Sequence, residues 1–459
     1  MTTDPYASWT REQLIVRLAQ LEGAPGTSSP SSTSPTQQSS STKKAKRRNR
    51  VYDPSKYAVR HIALKIAYMG GAYHGLALQD KPDDHVPTVE KFLFHALRVT
   101  RLVPPEEGSK FNYTRCGRTD KGVSALSQVV ALHIRSNQDH RSPLVLRSDA
   151  YPEEDPDVKE VPELPYLDLL NKLLPSDIRV LAWSPVSPDF HARFSCTGRE
   201  YRYYLPLRGL SLSRMQEAAK VFEGQHDFRN FCKIDPTKNV KTHERTIRVS
   251  EVIGPQEEPK DGEEGWAVYR IVGSAFLWHQ VRCMTAMILL VGGGHEPVSS
   301  IHSLLDTTEF PSRPAYDLAS DIPLVLHDCI YPKGLLSWRS DVQTRGTLER
   351  IWRSMRAASE KRYTEHLILQ SFHRTIHRSL AEEWATAGKP TFSKDKLTEE
   401  TEEGWWEVCM GGGEFVRSRS YQPVLRRKRC LGVEEHEALR QKRLQSKKVK
   451  REDNLSDSK

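Results

Sequence analysis

Long apolar runs and paired cysteines are missing from this 459-residue sequence. No hydrophobic stretch reaches the roughly 18 to 20 residues that a membrane-spanning helix needs, and the N-terminus lacks the charged-then-apolar pattern of a signal peptide. The seven cysteines are scattered and include no Cys-x-x-Cys pair, which argues against a structural zinc site or a disulfide framework. We therefore expect a soluble, reduced, intracellular protein without a metal site.

A phosphate loop is not supplied by the glycine-rich stretch Gly292-Gly293-Gly294-His295. This stretch follows an apolar segment and lacks the Gly-x-x-x-x-Gly-Lys-Ser/Thr spacing. We interpret it as the end of a helix.

The charge of the chain is biased toward the basic side. There are 68 Lys and Arg residues against 59 Asp and Glu residues, which gives a formal net charge of +9. Such a balance favours polyanionic partners, because each neutralised phosphate releases counterions. Basic tails on an ordinary solvated surface account for the same number, so charge alone leaves the partner open.

Both ends of the chain differ in composition from its middle. Residues 1–22 contain a short amphipathic pattern, typical of a partner helix or of a marginal helix on an arm. Residues 23–59 read as a disordered linker, ending in the basic run 43–50, which indicates a nuclear-import signal, an arm on RNA phosphates or solvated charge. Residues 336–425 predict a helical extension, and residues 426–459 predict a disordered basic tail.

The middle of the chain predicts an α+β fold in two halves, 60–205 and 206–335. An acidic, Pro-containing surface insertion is expected at residues 149–163. Segments with alternating apolar residues predict strands, and segments with helical periodicity predict helices between them. Strands that follow one another as in hairpins favour antiparallel pairing. The strands are predicted at 61–68, 128–134, 178–184, 199–205, 246–253 and 265–272, and the helices at 88–102, 166–174, 213–222 and 275–291.

One polar turn, between the helix that ends near residue 102 and the strand that starts near residue 128, carries Asp120. By local rules alone this carboxylate would stabilise the turn by bonding nearby backbone amides. Its surroundings read Tyr113-x-Arg115-Cys116-Gly117-Arg118-Thr119-Asp120-Lys121-Gly122-Val123-Ser124-Ala125. Three further blocks follow in order: Phe190-His191-Ala192-Arg193-Phe194-Ser195 with Arg199-x-Tyr201-Arg202-Tyr203, then Ala275-Phe276-x-x-His279-x-Val281-Arg282, then Pro323-Leu324.

These four blocks resemble the motifs of the TruA family of tRNA pseudouridine synthases, over roughly residues 60–332. The resemblance implies the pseudouridine synthase fold, in which two α/β halves join through a mostly antiparallel sheet with the active-site cleft between them. The first and third blocks, with the segment His226 to Lys233, look most like the eukaryotic branch that acts on uridines 38 and 39.

The activity implied is isomerisation of uridine to pseudouridine in the tRNA anticodon stem-loop, without a cofactor. A homodimer and a location in nucleus and cytoplasm are also expected. One departure concerns the segment Tyr73 to Gln79, where many members carry Trp-x-Arg-Gln after Tyr-x-Gly and this chain has Leu76-Ala77-Leu78-Gln79.

The resemblance also assigns roles to residues. Asp120 is the nucleophile and attacks the ribose C1′ or the base C6, or promotes a glycal intermediate. Arg282 keeps this carboxylate ionised by lowering its pKa, and Arg118 fills the gap left by the flipped base. The remaining assignments are Tyr201 stacking on the base and relaying the C5 proton, Leu324 packing on the other side of the ring, His279 on the same helix face as Arg282, and Arg115, Lys121 and Arg193 at phosphates or in the pocket.

Three other functions stay open at this point. The chain could be a non-catalytic tRNA-binding protein or chaperone that has kept the fold. It could be a synthase of the same family that acts on other tRNA positions. A nuclear assembly factor working through the N-terminal helix and the basic tails is the third.

Overall fold

A computed structural model describes residues 57–79, 87–106, 110–137, 162–235, 240, 242–255, 265–340, 345–386, 406–442 and 445. The chain divides into one unit over Met1–Tyr52 and another over Asp53–Lys459, and all described residues belong to the second. The predicted N-terminal helix, the basic run, most of the acidic insertion and the end of the basic tail lie outside these ranges. Among the described helices, none is both long and apolar enough to cross a membrane.

A single mixed sheet runs through both halves of the predicted catalytic region. Its main path has the order β4-β1-β3-β9-β5-β8-β7-β6, and β2 pairs with β3 off this path. All pairings are antiparallel except β3 with β9. The strands are β1 (Ala58–Tyr68), β2 (Thr114–Arg115), β3 (Ser124–Ser136), β4 (Ile178–Pro185), β5 (Gly198–Pro206), β6 (Gly224–Asp227), β7 (Glu244–Ile253), β8 (Trp266–Gly273) and β9 (Leu324–Ile330).

The parallel pair of β3 and β9 joins the two halves. Ser124 is opposite Val325, and Ala125 is opposite Leu326. Because parallel neighbours begin at the same edge of a sheet, the loops that precede these two strands lie side by side. One of those loops carries Asp120, and the other carries residues 319–323.

The helices cover the sheet and enclose two apolar clusters, one in each half. Residues that contribute to the first cluster come from β1, β3, β4 and the first two helices, and those of the second come mainly from the next three helices and the strands beneath them. Tyr201 packs against both clusters. The helices are α1 (Val89–Val99), α2 (Tyr166–Asn171), α3 (Leu212–Lys220), α4 (Gln280–Gly292), α5 (Ser299–Leu305) and α6 (Arg345–Thr386).

The predicted helices and strands of the middle region are found, with shifted ends. Thr88 caps α1, its hydroxyl accepting a hydrogen bond from the amide of Lys91. The glycine-rich stretch ends α4 as expected, since Gly293 is the C-cap and Gly294 has a φ of 77°.

The start of α4 was predicted wrongly. The helix begins at Gln280 rather than at residue 275, and His279 is its N-cap with a left-handed φ of 60°. Two contacts hold the preceding segment out of the helix: the Gln280 side chain accepts from the amide of Leu277 at 2.8 Å, and the carbonyl of Trp278 accepts from the amide of Lys233 at 3.0 Å. His279 and Arg282 are therefore not two residues on one helix face.

The C-terminal region is more structured than the sequence predicts. After α6, strands β10 (Trp406–Cys409) and β11 (Phe415–Ser418) form a hairpin. The buried carboxylate of Glu296 accepts hydrogen bonds from the hydroxyl of Tyr421 and the amide of Val424, both at 2.6 Å. Residues 428–430 bond to residues 313–315 through their backbones. These bonds order the first residues of the expected basic tail, because they satisfy backbone groups on both segments.

Candidate active site

The Asp120 loop, residues 116–123, is held by hydrogen bonds on both sides. The side-chain amide of Gln128 donates to the carbonyl of Gly117 at 3.0 Å, and the hydroxyls of Thr119 and Tyr68 lie 2.8 Å apart. The amide of Gly122 donates to the carbonyl of Tyr73 at 3.1 Å. These bonds fix the backbone on either side of Asp120.

A glycine lets a second segment approach this loop closely. Gly75 has a φ of 90°, and a Cβ there would lie 2.5 Å from the carbonyl oxygen of Thr119. A larger residue would be strained and would push the loop away. The segment Tyr73 to Gln79, where the sequence departs from the pattern of the family it resembles, therefore forms one support of the Asp120 loop.

Asp120 itself is 35% exposed and points to the segment before α4. The Nε2 atom of His279 lies 3.4 Å from Oδ2 of Asp120. The Trp278 side chain also forms a hydrogen bond with this carboxylate. The carboxylate is thus open on one side and faces the rings of Trp278 and His279 on the other.

Burial raises the pKa of Asp120, and this influence exceeds the opposing charges of Arg282 and Arg118. The pKa of Asp120 therefore lies above its ordinary value. Arg282 does act in the expected direction, but Asp321 raises the pKa further. The Nη1 atom of Arg282 lies 3.5 Å from Oδ2 of Asp321, and its Nε donates to the carbonyl of Ala319 at 2.7 Å.

The contact between His279 and Asp120 is not an ion pair. Burial, with the charges of Arg282, Lys233 and Arg313, lowers the pKa of His279 to about 3. The ring is neutral at physiological pH, so only its Nε2–H tautomer can donate to the carboxylate.

Tyr201 lies in the middle of β5, next to the site. Its ring meets that of Phe276 edge to face, with centroids 5.1 Å apart. Burial raises its pKa, with smaller effects from nearby thiols and from Asp120, so the hydroxyl stays protonated. Tyr203, two residues on, is fully buried and donates to the carbonyl of Met410 at 3.2 Å, which makes it a core residue.

Leu324 is opposite Tyr203 in the register of β5 and β9, whereas Tyr201 is opposite Leu326. Leu324 is also only 4% exposed. The side chain of Leu324 can therefore contact that of Tyr201 only diagonally across the two strands.

The predicted cations fall into two groups. Arg118, Lys121 and Arg193 are exposed and thus available to a ligand. Arg115, by contrast, forms a salt bridge from its Nε to the fully buried carboxylate of Glu90 at 2.9 Å. The geometry therefore favours a structural role for Arg115.

A cleft of about 1250 Å³ opens beside Arg118, between α1 and the residues leading into β2. Its lining combines cations with three rings that pack edge to face on one another. Among the described residues that line it, Glu90 is the only acidic side chain, and it is paired with Arg115. The basic and aromatic lining residues are Arg98, Lys110, Arg115, Arg118, His133, Phe94, Phe111 and Tyr113.

Sequence reasoning missed four residues around the site. Glu90 accepts hydrogen bonds from the amide of Leu78 and the hydroxyl of Tyr113. Arg199 donates to the carbonyls of Cys116, Arg193 and Ser274 and so ties the Asp120 loop to two others. Asp321 and Trp278 are the other two, and only the quoted blocks around them could have drawn attention to them.

The described residues contain no group of three His, Cys, Asp or Glu side chains that could hold a metal ion. The arrangement instead provides a partly exposed carboxylate, neutral and cationic donors around it, and a basic aromatic cleft on one side. Such a site suits nucleophilic chemistry on a polyanion.

Comparison with known proteins decides the family. A family model described as "tRNA pseudouridine synthase" matches residues 218–332. The "tRNA pseudouridine(38/39) synthase" of Mus musculus is 38% identical over 395 residues, covering 84% of this chain and 77% of the mouse protein.

This chain belongs to the TruA family of tRNA pseudouridine synthases.

Further relatives of this tRNA pseudouridine synthase span fungi and archaea. The "tRNA pseudouridine(38/39) synthase" of Saccharomyces cerevisiae is 39% identical over 346 residues, covering 73% of each chain. The "tRNA pseudouridine synthase A" of Methanosarcina mazei is 35% identical over 235 residues, covering 51% of this chain and 71% of the relative. The solved archaeal box H/ACA sRNP Nop10-Cbf5 complex matches with a TM-score of 0.22 at 13% identity over 50% of this chain and 43% of that chain, values too low to bear on the fold.

The expected activity class and fold class are thereby confirmed. The synthase is an isomerase whose substrate is tRNA. Its fold is the mixed α+β arrangement with a large, mostly antiparallel sheet.

Proposed function

We propose that this synthase converts uridine to pseudouridine at positions 38 and 39 of the tRNA anticodon stem-loop, with Asp120 as its nucleophile. The positions rest on the names of relatives that are 38% and 39% identical over most of the chain. The nucleophile rests on one observation: Asp120 is a partly exposed carboxylate on a loop braced on both sides.

The chemistry requires an ionised carboxylate at the first step. In attack on C1′, an Asp120 oxygen forms a bond to C1′ while the bond from C1′ to N1 breaks with its electrons on the base. The base turns, C5 bonds to C1′, and Asp120 leaves with its electrons. The C5 proton is then lost and N1 is protonated, so atoms and charge balance. Attack on C6 and a glycal route remain equally compatible with this geometry.

Tyr201 is proposed to contact the target base and to relay the C5 proton. Its raised pKa supports a neutral hydroxyl, which passes a proton on only by giving up its own. Leu324 is proposed to pack on the opposite side of the ring.

A paired uridine must leave the helical stack to reach Asp120, at a cost of a few kcal/mol. Arg118 is proposed to occupy the vacated position, since it is exposed and acts electrostatically on both Asp120 and Glu90. The cleft next to it is proposed to hold the RNA backbone, with Lys121, Arg193 and His279 as further contacts.

The homodimer and the location in nucleus and cytoplasm are proposals as well. Sedimentation of the full chain tests the dimer, and a monomer at micromolar concentration would contradict it. For location, the basic run 43–50 supports nuclear import. Replacing its Lys and Arg residues by Ala in a fluorescent fusion should shift the protein toward the cytoplasm.

Tritium release from tRNA labelled at uridine C5 tests the reaction directly. We expect release by the wild type and none above background by Asp120→Asn, which keeps the shape of the side chain but not its charge. Release by Asp120→Asn at the wild-type rate would disprove the nucleophile assignment. Mapping the modified nucleotide distinguishes positions 38 and 39 from other sites. Tight tRNA binding without any release by the wild type would instead support a non-catalytic binding protein.

A further inference from the structure

The hairpin that follows α6 ends in a turn of three successive left-handed glycines. This glycine turn, residues 410–414, connects β10 to β11 and is closed by a bond from the amide of Met410 to the carbonyl of Glu414 at 2.9 Å. Gly411, Gly412 and Gly413 have φ values of 76°, 60° and 80°. Only glycine adopts such a run without strain.

Two of these glycines lie against the catalytic region, residues 60–335, and a Cβ on either would clash with it. A Cβ on Gly411 would collide with the Tyr203 side chain. On Gly412, a Cβ would lie 2.7 Å from the hydroxyl oxygen of Ser320 and 3.1 Å from Cδ of Pro323. A Cβ on Gly413 would meet no atom of the described residues within 4 Å, its own chain neighbours aside.

Hydrogen bonds connect the same turn to the loop before β9. The carbonyl of Met410 accepts from the amide of Ser320 at 2.8 Å and from the hydroxyl of Tyr203 at 3.2 Å. Met410 is itself 5% exposed and belongs to the second apolar cluster. The turn is therefore seated in the core.

Ser320 lies between the two residues that engage Arg282. Ala319 accepts from the Nε of Arg282 at 2.7 Å and donates its own amide to the carbonyl of Arg282 at 3.3 Å. Asp321 pairs with the guanidinium and also packs against Gly122, two residues after Asp120. One short backbone segment thus links the glycine turn to Arg282 and Asp321, two of the charged neighbours of the nucleophile.

We propose that the glycine turn is a positioning element of the active site: it sets residues 319–321, and through them places Arg282 and Asp321 against the Asp120 loop. The turn lies outside residues 218–332, which the family model matches. A segment that the sequence assigns to an accessory extension therefore completes the catalytic centre. This inference rests on the proposed function, because its readout is the isomerisation rate.

The test compares Gly412→Ala with Gly413→Ala in the full-length enzyme. Both substitutions put alanine at a left-handed position of the same turn, but only the first drives a methyl group into Ser320. We expect Gly412→Ala to lower kcat about ten- to a hundredfold with KM changed less than about twofold. Gly413→Ala should stay within about twofold of the wild type in both parameters.

The pH profile separates positioning from loss of structure. Displacing residues 319–321 loosens Arg282, whose effect on Asp120 is larger than that of Asp321, so the acid limb of kcat/KM should move to higher pH in Gly412→Ala. The other charged or hydrogen-bonding groups that face Asp120 are Arg118, Trp278 and His279. A general loss of folded enzyme would lower the rate without moving the limb.

A second substitution tests the route through Ser320. Its hydroxyl is buried and has no hydrogen-bond partner among the described residues, so Ser320→Ala removes the nearest clashing atom without breaking a bond. We expect the double variant Gly412→Ala/Ser320→Ala to recover at least about a third of the lost kcat. If Gly412→Ala does not fold, Tyr203→Phe carries the test, because it removes one bond to Met410 and should lower kcat while tRNA binding is kept.

The outcomes are distinct from those of the proposed function. Absence of tritium release by the wild type contradicts the proposed function itself. If the wild type is active, and Gly412→Ala and Gly413→Ala have the same kcat and the same acid limb of kcat/KM, the positioning role is overturned. So does a rate in Tyr203→Phe that matches the wild type.

Discussion

At the scale of single residues, Asp120 is shaped by opposing influences. Burial raises its pKa, Arg282 and Arg118 lower it, and Asp321 raises it. A carboxylate with a raised pKa is a better proton acceptor and a less strongly solvated nucleophile, but it loses its charge at mild acidity. The pH at which the reaction rate falls on the acid side of its pH profile, the acid limb, should therefore depend on the charges of these neighbours.

Arg282→Gln should move that limb to higher pH, because it removes a positive charge that lowers the pKa of Asp120. We expect the rate at about pH 6 to fall by tenfold or more, with partial recovery as the pH rises. Single-turnover rates from about pH 5 to about pH 9 measure both effects.

Asp321→Asn provides the matched change of opposite sign, since it removes a negative charge that raises the same pKa. Its limb should move to lower pH. Limbs that move in the same direction in both variants would contradict the electrostatic account of the site.

His279 should make folding stability sensitive to mild acid. Its pKa is about 3 in the folded protein against an ordinary 6.5, so below about pH 6.5 the unfolded chain binds a proton that the folded chain does not. Stability is then lost as the pH falls through this range.

His279→Asn should remove that dependence, so that its free energy of unfolding falls by about 1 to 2 kcal/mol less than that of the wild type between about pH 6.5 and about pH 5. Urea denaturation at both pH values measures it. His302→Asn, at an exposed residue of α5, is the control and should behave as the wild type. Identical pH dependence in all three proteins would show that His279 does not carry the effect.

At the scale of elements, α1 acts as a wall of the cleft through Glu90, Phe94 and Arg98, which are spaced four apart. The first of these is fully buried, and burial raises its pKa, opposed by the amide of Leu78 and by Arg115. The helix therefore stabilises both the segment before it and the strand β2 behind the Asp120 loop.

Glu90→Ala should lower the free energy of unfolding by about 2 to 3 kcal/mol, because it leaves Arg115 and the amide of Leu78 without their acceptor. The value lies below that of a fully buried pair, since Arg115 is 32% exposed and can be hydrated. Denaturant unfolding measures the change. Glu349→Ala, which breaks an exposed pair with Arg353 on α6, is the control and should change stability by less than about 0.5 kcal/mol. Equal losses in the two variants would rule out the anchoring role of Glu90.

Local patterns predicted most elements of the catalytic region, and long-range pairing set the rest. The alternation in β1 and the apolar stripe of α1 are local, so their existence followed from the residues. The start of α4 did not, because it depends on bonds from Lys233 and Gln280 to the segment before it. Asp321 likewise gains its place only from the parallel pairing of β9 with β3, which no local pattern encodes.

At the scale of the whole molecule, the chemistry-bearing residues gather where the two halves meet. The first half supplies the Asp120 loop and the cleft, and the second supplies Arg282, His279 and Trp278. Apart from the paired Glu90, the described residues that line the cleft are basic or neutral, so a nearby RNA strand should add salt-sensitive affinity there.

The double variant Arg98→Ala/Lys110→Ala should raise KM for tRNA about five- to thirtyfold and leave kcat within about twofold, since it removes phosphate contacts far from the reacting atoms. The dependence of log KM on log salt concentration should also become shallower by about one to two units of slope. Steady-state kinetics at several salt concentrations measure both.

Arg214→Ala/Lys220→Ala removes the same charge from exposed positions of α3 and serves as the control. If it raises KM as much as the cleft variant does, the effect comes from net charge and the cleft has no specific role.

The parallel pair of β3 and β9 also has a consequence for how the protein folds. The hydroxyl of buried Ser127 donates to the carboxylate of Asp328 at 2.8 Å, across a sequence separation of 201 residues. Contacts of such separation close a large loop and form slowly, because the entropy of closure is lost before the contact stabilises anything. On a ribosome, the strand that carries Ser127 emerges long before its partner, so the nucleophile loop gains its neighbour late in synthesis. Catalytic competence is therefore expected to be among the last properties that the growing chain acquires.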